Sequence, residues 1–171
     1  MKKRFLLFLV PMFLLVSCRS AAYTAGRIME KIIADHPTLF VDTADYHSEA
    51  QKGQSAYLTP RLCSLLYDEG RGREIPEFAR VKDYAVCLSK GLGGGEIHIF
   101  RMEDDADVGS MEKLLLRRAE LLKRRSLYLF VPEAYESHLA SAMVKSIGNY
   151  VLLLATSQNE TVFSYISHLV S

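Results

Sequence analysis

Apolar and polar positions divide this chain into an unbroken apolar run near the N-terminus, segments of helical period, and a C-terminal half of alternating strand and helix signals. Phe5 to Val16 is apolar and interrupted only by Pro11. Ser20 to Asp35 places Ala25, Ile28, Met29, Ile32 and Ile33 on one face. The spacing predicts a helix that ends at His36-Pro37. Residues 38–58 are mixed and polar and predict no element. Thr59-Pro60 predicts a second helix, with Thr as N-cap and Pro in the first position. Leu62, Cys63, Leu66 and Tyr67 form its apolar stripe and Gly70 its stop. Glu69 to Glu77, with two Gly and a Pro, reads as a loop.

The second half is more regular. Tyr84, Val86 and Leu88 alternate with Ala85 and Cys87, which predicts a strand. The glycine-rich turn Gly91 to Gly95 leads to a second strand over Glu96–Met102, followed by the acidic loop Glu103 to Asp107. A long amphipathic helix follows, with Val108, Met111, Leu115, Ala119 and Leu122 inward. After Pro132 and a short helical turn, Ala142–Ile147 and Tyr150–Ala155 form a strand pair around Gly148-Asn149, a two-residue hairpin signal. Ser157-Gln158-Asn159-Glu160 has the spacing of a capping box for a last helix, with Val162, Phe163, Ile166, Leu169 and Val170 inward. Ala85 to Leu116 and Ser141 to Val170 thus repeat one order: strand, glycine turn, strand, polar loop, helix. Two ββα units predict an α+β fold of two layers, a four-stranded, mainly antiparallel sheet with helices on one face. The N-terminal helices would cover an edge or join the helical layer.

Composition adds a setting. The basic start Lys2-Lys3-Arg4, the short apolar run and the ending Leu15-Val16-Ser17-Cys18 match a secretory signal. As a helix the run would rise about 18 Å against about 30 Å of hydrocarbon, too short to span readily. The Leu-Val-Ser-Cys ending resembles the bacterial lipobox, whose Cys thiol receives a diacylglyceryl group before cleavage leaves it as the new N-terminus. The expected organisation is a signal peptide over 1–17, a lipidated tether over 18–21 and a single extracytoplasmic domain over 22–171. Cleavage removes 17 of 171 residues and leaves 154, enough for one domain with a core. The charge moves from 21 basic against 20 acidic residues to 18 against 20, or −2. That balance gives no drive toward nucleic acid. Cys63 and Cys87 lie among apolar residues, which favours buried free thiols over a disulfide.

Candidate chemistry is sparse. Gly91 to Gly95 is followed by a strand rather than a helix N-terminus and lacks nucleotide-loop spacing, so it reads as a hairpin loop. Glu103, Asp104, Asp105 and Asp107 miss the calcium-loop template and read as caps of the following helix. His36, His47, His98, His138 and His168 show no metal or triad spacing. His98, opposite Ile97 and Ile99, reads as a solvated or singly bonded imidazole. No GxSxG nucleophile motif occurs. No catalytic residue, cofactor or metal is expected. Arg117, Arg118, Lys123, Arg124 and Arg125 form the one basic patch. They read as a solvated face or as a contact for anionic lipid headgroups or wall polymers.

Gly95-Glu96-Ile97-His98-Ile99-Phe100-Arg101, the charged helix ending near Arg125, Pro132-Glu133-Ala134-Tyr135 and Gly148-Asn149-Tyr150-Val151-Leu152-Leu153 together resemble a family of bacterial lipoproteins. These carry the domain of unknown function numbered four-three-five-eight, mostly in low-GC Gram-positive bacteria. The resemblance spans residues 22–170 and carries no catalytic residue. It implies a small envelope lipoprotein, with a weaker hint of service to membrane O-acyltransferases. The expectation is therefore a non-catalytic domain lipid-anchored at Cys18 on the outer face of the cell membrane, binding an envelope protein or polymer. The alternatives are an accessory to envelope polymer modification, or an enzyme whose site is assembled from distant residues such as His98 and the Glu103–Asp107 acids.

Overall fold

The computed structural model describes residues 23–39, 43–89, 95–128 and 133–171. Its organising element is a five-stranded, wholly antiparallel sheet, Thr43–His47 (β1), Val81–Ser89 (β2), Glu96–Met102 (β3), Met143–Ile147 (β4) and Tyr150–Ala155 (β5), in the order β1-β2-β3-β5-β4. The fold is α+β as expected, but the sheet has five strands rather than four. The added strand lies in the stretch that carried no period. β1 is a half-buried edge strand whose Ala44 and Asp45 dilute the alternation a buried strand would show.

The helices cover both faces, not one, so the molecule has three layers rather than two. Every residue of β3 and of β5 is buried, and a strand buried on both sides needs cover on both sides. On one face, Val86, Phe100, Met102, Val151 and Leu153 pack under the helices Pro60–Tyr67 (α2), Val108–Tyr128 (α3) and Glu133–Ala140 (α4). On the other, Ala85, Cys87, Ile97, Ile99, Leu152 and Leu154 pack under Ala25–Asp35 (α1) and Asn159–Val170 (α5). The two ββα units therefore place α3 and α5 on opposite faces. A two-fold axis relating the antiparallel β3 and β5 within one sheet would keep both helices on the same face. The repeated order is not a repeated structure.

Local chemistry sets the boundaries. Thr59 Oγ1 accepts from Leu62 N at 3.2 Å to start α2, as its spacing predicts. α1 begins at Ala25 rather than Ser20, because Thr24 is its cap and accepts from Arg27 N at 3.2 Å. Residues 20–22 lie outside the described segments. The capping box at Ser157 does not form. Asn159 Oδ1 instead accepts from the Thr156 amide at 2.7 Å and its hydroxyl at 2.9 Å, while its Nδ2 donates to Ser141 O at 2.9 Å. Gly148 turns the β4–β5 hairpin with φ +53°. Gly95 is required for close approach, since a Cβ there would stand 2.5 Å from the Ala155 carbonyl oxygen.

α1 is fixed to the sheet by a buried polar cluster. Asp83 accepts from Ala25 N at 2.7 Å and from Arg101 Nε at 2.7 Å, and Arg101 Nη2 adds a second, short bond. Tyr150 donates its hydroxyl to the Tyr23 carbonyl. Truncating Asp83 strands a buried guanidinium and an orphan helix amide, a loss of about 3–5 kcal/mol. Asp83→Ala is accordingly expected to unfold at lower urea concentration, with hydrogen exchange rising first in α1. An unchanged midpoint would show that α1 is held by apolar packing alone.

Candidate functional site

The structure gathers chemistry-bearing residues in a buried network beside two surface recesses. In the network, Tyr67 at the end of α2, Glu96 and His98 on β3, and Arg118 on α3 meet under the helical layer. The Tyr67 hydroxyl lies 2.6 Å from His98 Nδ1, and His98 Nε2 lies 3.0 Å from Glu96 Oε2. Arg118 donates through Nε to Glu96 Oε2 at 3.0 Å, through Nη2 to Glu96 Oε1, and through Nη1 to Leu66 O at 3.4 Å. The ionised Glu96 only accepts, so Nε2 of His98 carries the proton and Nδ1 accepts from Tyr67.

Charges in this network are set by burial and pairing. Burial alone would raise the Glu96 carboxyl, but Arg118 and the His98 hydrogen bond overcome it and hold the group down at about 2. Burial lowers His98, with Glu96 opposing, so the imidazole stays neutral. Burial pushes the Tyr67 phenol well up against the pull of Arg118. These groups lock α2 and α3 to the sheet, and of them Tyr67, 4% exposed, borders the smaller recess.

His98 is therefore not the solvated or singly bonded imidazole its alternating position suggested. It is fully buried, with both ring nitrogens bonded. Arg118 likewise leaves the basic patch: it is 2% exposed and spent on Glu96. The position follows from helical period, since Arg118 falls four residues after Leu114 and three after Leu115 on the inward face. Arg117, Arg124 and Arg125 are exposed and Lys123 half-exposed, bonded to Glu120 at 3.2 Å. Cys18 and Gly91 to Gly94 lie outside the described residues. In the acidic loop, Asp104 caps Ala106 N at 3.0 Å, and among the described residues no three Cys, His, Asp or Glu gather as a metal site. Cys63 and Cys87 are free thiols on opposite faces of the sheet and cannot pair.

The larger recess is a cleft of about 830 Å3 between α2 and the turn Pro76–Arg80. Tyr57, Pro60, Leu65, Ile75, Phe78 and Tyr84 supply apolar lining, and Arg61, Arg73 and Glu74 supply charge. Leu65 is 52% exposed on the wall of this cleft. Cys63 also lines the cleft, but burial raises its thiol to about 11, so it stands as the protonated form rather than as a nucleophile. Sequence reasoning missed this cleft because its walls come from three separate segments. Its one visible signal was Leu65, which lies outside the α2 stripe. The smaller recess, about 360 Å3, lies on the other side of the α2 C-terminus against α3. No protein-family model, characterised protein or solved structure matches this chain.

Acidification removes the network's contribution in two stages. The unfolded chain takes up a proton at His98 near pH 6.5 while the folded one resists, so stability falls as pH drops below that value. The Glu96 share is present above about 4.5 and is lost as pH falls through about 2. His98→Leu is expected to flatten the upper stage, read as denaturation midpoint against pH. An identical slope in the variant would contradict the buried neutral imidazole. Arg118→Met leaves the buried Glu96 carboxylate without its cationic partner, bonded only by His98, and is expected to lose about 3–5 kcal/mol in urea unfolding; a loss under about 1 kcal/mol would contradict it.

Proposed function

We propose that this chain is a lipid-anchored, extracytoplasmic domain of the bacterial cell envelope, joined to the membrane at Cys18. It acts without catalysis, by holding a partner in the cleft between α2 and the Pro76–Arg80 turn. The observation that carries the binding role is the contrast between the two regions. The network of mutually bonded titratable groups, Tyr67, His98, Glu96 and Arg118, is buried, whereas the open surface offers a wide, mainly apolar cleft with a half-exposed leucine on its wall. Such a surface suits an apolar side chain or segment of a partner, with Arg61, Arg73 and Glu74 at its margin for orientation.

The anchor reading rests on the order of the basic start, apolar run and Leu-Val-Ser-Cys ending. It also constrains orientation. Five residue steps from Cys18 to Tyr23 reach at most about 18 Å. Tyr23 is bonded to Tyr150 at the start of β5. That end of the sheet, which also carries the β4–β5 turn and the start of α3, faces the bilayer in this account.

Radiolabelled palmitate should mark the wild-type chain and leave Cys18→Ala unmarked; label retained by the variant would refute the anchor. For the cleft, photoreactive benzoylphenylalanine at Leu65 should capture one discrete partner on intact cells, while the same group at the exposed Lys113 captures none. Equal capture at both positions would refute the cleft as the interface.

A further inference from the structure

The smaller recess has a charge arrangement that the cleft lacks. Four arginines from two elements line it: Arg71 and Arg73 from the segment after α2, and Arg117 and Arg124 from α3. Its three carboxylates already have cationic partners: Asp68 with Arg73 at 2.8 Å, Glu69 with Arg71 at 3.0 Å, and Glu120 with Lys123 at 3.2 Å. Arg117 reaches only Glu77, at 3.7 Å, and among the described residues Arg124 has no ion pair. Exposed pairs of this kind contribute little to stability and give way readily to a more highly charged anion.

We propose that this groove binds a polymer of phosphodiesters with a polyol backbone. Guanidinium groups present planar forks that match phosphate oxygens. Arg117 and Arg124 stand seven residues apart, two helical turns and about 10 Å along one face of α3. That separation favours a ligand carrying successive anionic groups over a single phosphate. Leu116, 52% exposed, and Leu121 line the same groove, and offer apolar contact to the carbon chain that links the phosphates.

The ligand's phosphates belong to a polymer rather than to lipid headgroups, for a geometric reason that rests on the proposed anchor. α3 starts at the sheet end nearest Tyr23 and runs away from it, so Arg124 lies sixteen residues, roughly 24 Å, further from the bilayer than Val108. The groove opens toward what lies outside the membrane.

The test uses the full-length chain in nonionic detergent, titrated with a fluorescent oligomer of glycerol phosphate and followed by anisotropy. Binding should weaken as salt rises, and inorganic phosphate should compete only at far higher concentration. Arg117→Glu with Arg124→Glu should weaken binding at least about tenfold, whereas Lys113→Glu and Arg125→Glu together weaken it far less. Circular dichroism and a thermal melt establish that both double variants are folded. Three results would overturn the proposal: no binding of the oligomer, equal binding by the Arg117/Arg124 variant, or arginine-dependent binding to phosphatidylglycerol vesicles in preference to the oligomer. None of these depends on lipidation, so a failed anchor and a failed groove give different results.

Discussion

Burial of β3 and β5 on both faces is the constraint from which the rest of this structure follows. Their apolar residues account for the three layers, since Phe100 and Leu153 point to one set of helices and Ile99 and Leu152 to the other. Their polar residues account for how those layers are fixed. Glu96 and His98 cannot be solvated where they stand, so Arg118 of α3 and Tyr67 of α2 are drawn to them. Arg101 cannot be solvated either, and Asp83 meets it while also capping the first amide of α1. Buried pairs of this kind add little net stability over apolar substitutes, but a misplaced helix would leave charges stranded. Their effect is to select one docking of each helix.

Much of the local structure was legible in the sequence. Glu96–Met102 and Tyr150–Ala155 match the expected strands, and Thr59-Pro60 opens a helix as its chemistry requires. What was not legible has physical reasons. β1 carries Asp45 and sits at a sheet edge, so no alternation marks it. The face on which a helix lands depends on which strand face is still bare, and a run buried on both faces, such as Tyr150–Ala155, does not encode that choice. His98 and Arg118 looked polar and therefore exposed. Glu96, two residues from His98 on the same strand, is its one local partner; Tyr67 lies 31 residues from His98 and Glu96 lies 22 from Arg118, and pairing at that distance leaves no local pattern. The capping box failed because Asn159, inside the motif, bonds back to Thr156 and across to Ser141.

The candidate surface was only partly visible. Four members of the basic patch remain at or near the surface, and two of them, Arg117 and Arg124, meet Arg71 and Arg73 from a loop that carried no functional signal. The proposed anchor and the proposed groove are thereby separated in space. In the proposed account the β4–β5 turn, the acidic loop and the start of α1 lie toward the membrane, and the arginine groove lies away from it. If Cys18 is lipidated as proposed, so short a tether leaves the domain little freedom to reverse this polarity.

That polarity is open to direct measurement. A fluorophore attached at Asp105→Cys or at Arg125→Cys, in a Cys63→Ser background, can be quenched by lipids carrying a nitroxide on the headgroup once the lipidated chain is reconstituted in vesicles. The account predicts strong quenching at position 105, beside the start of α3, and little at position 125. Equal quenching at the two positions, or stronger quenching at 125, would contradict it.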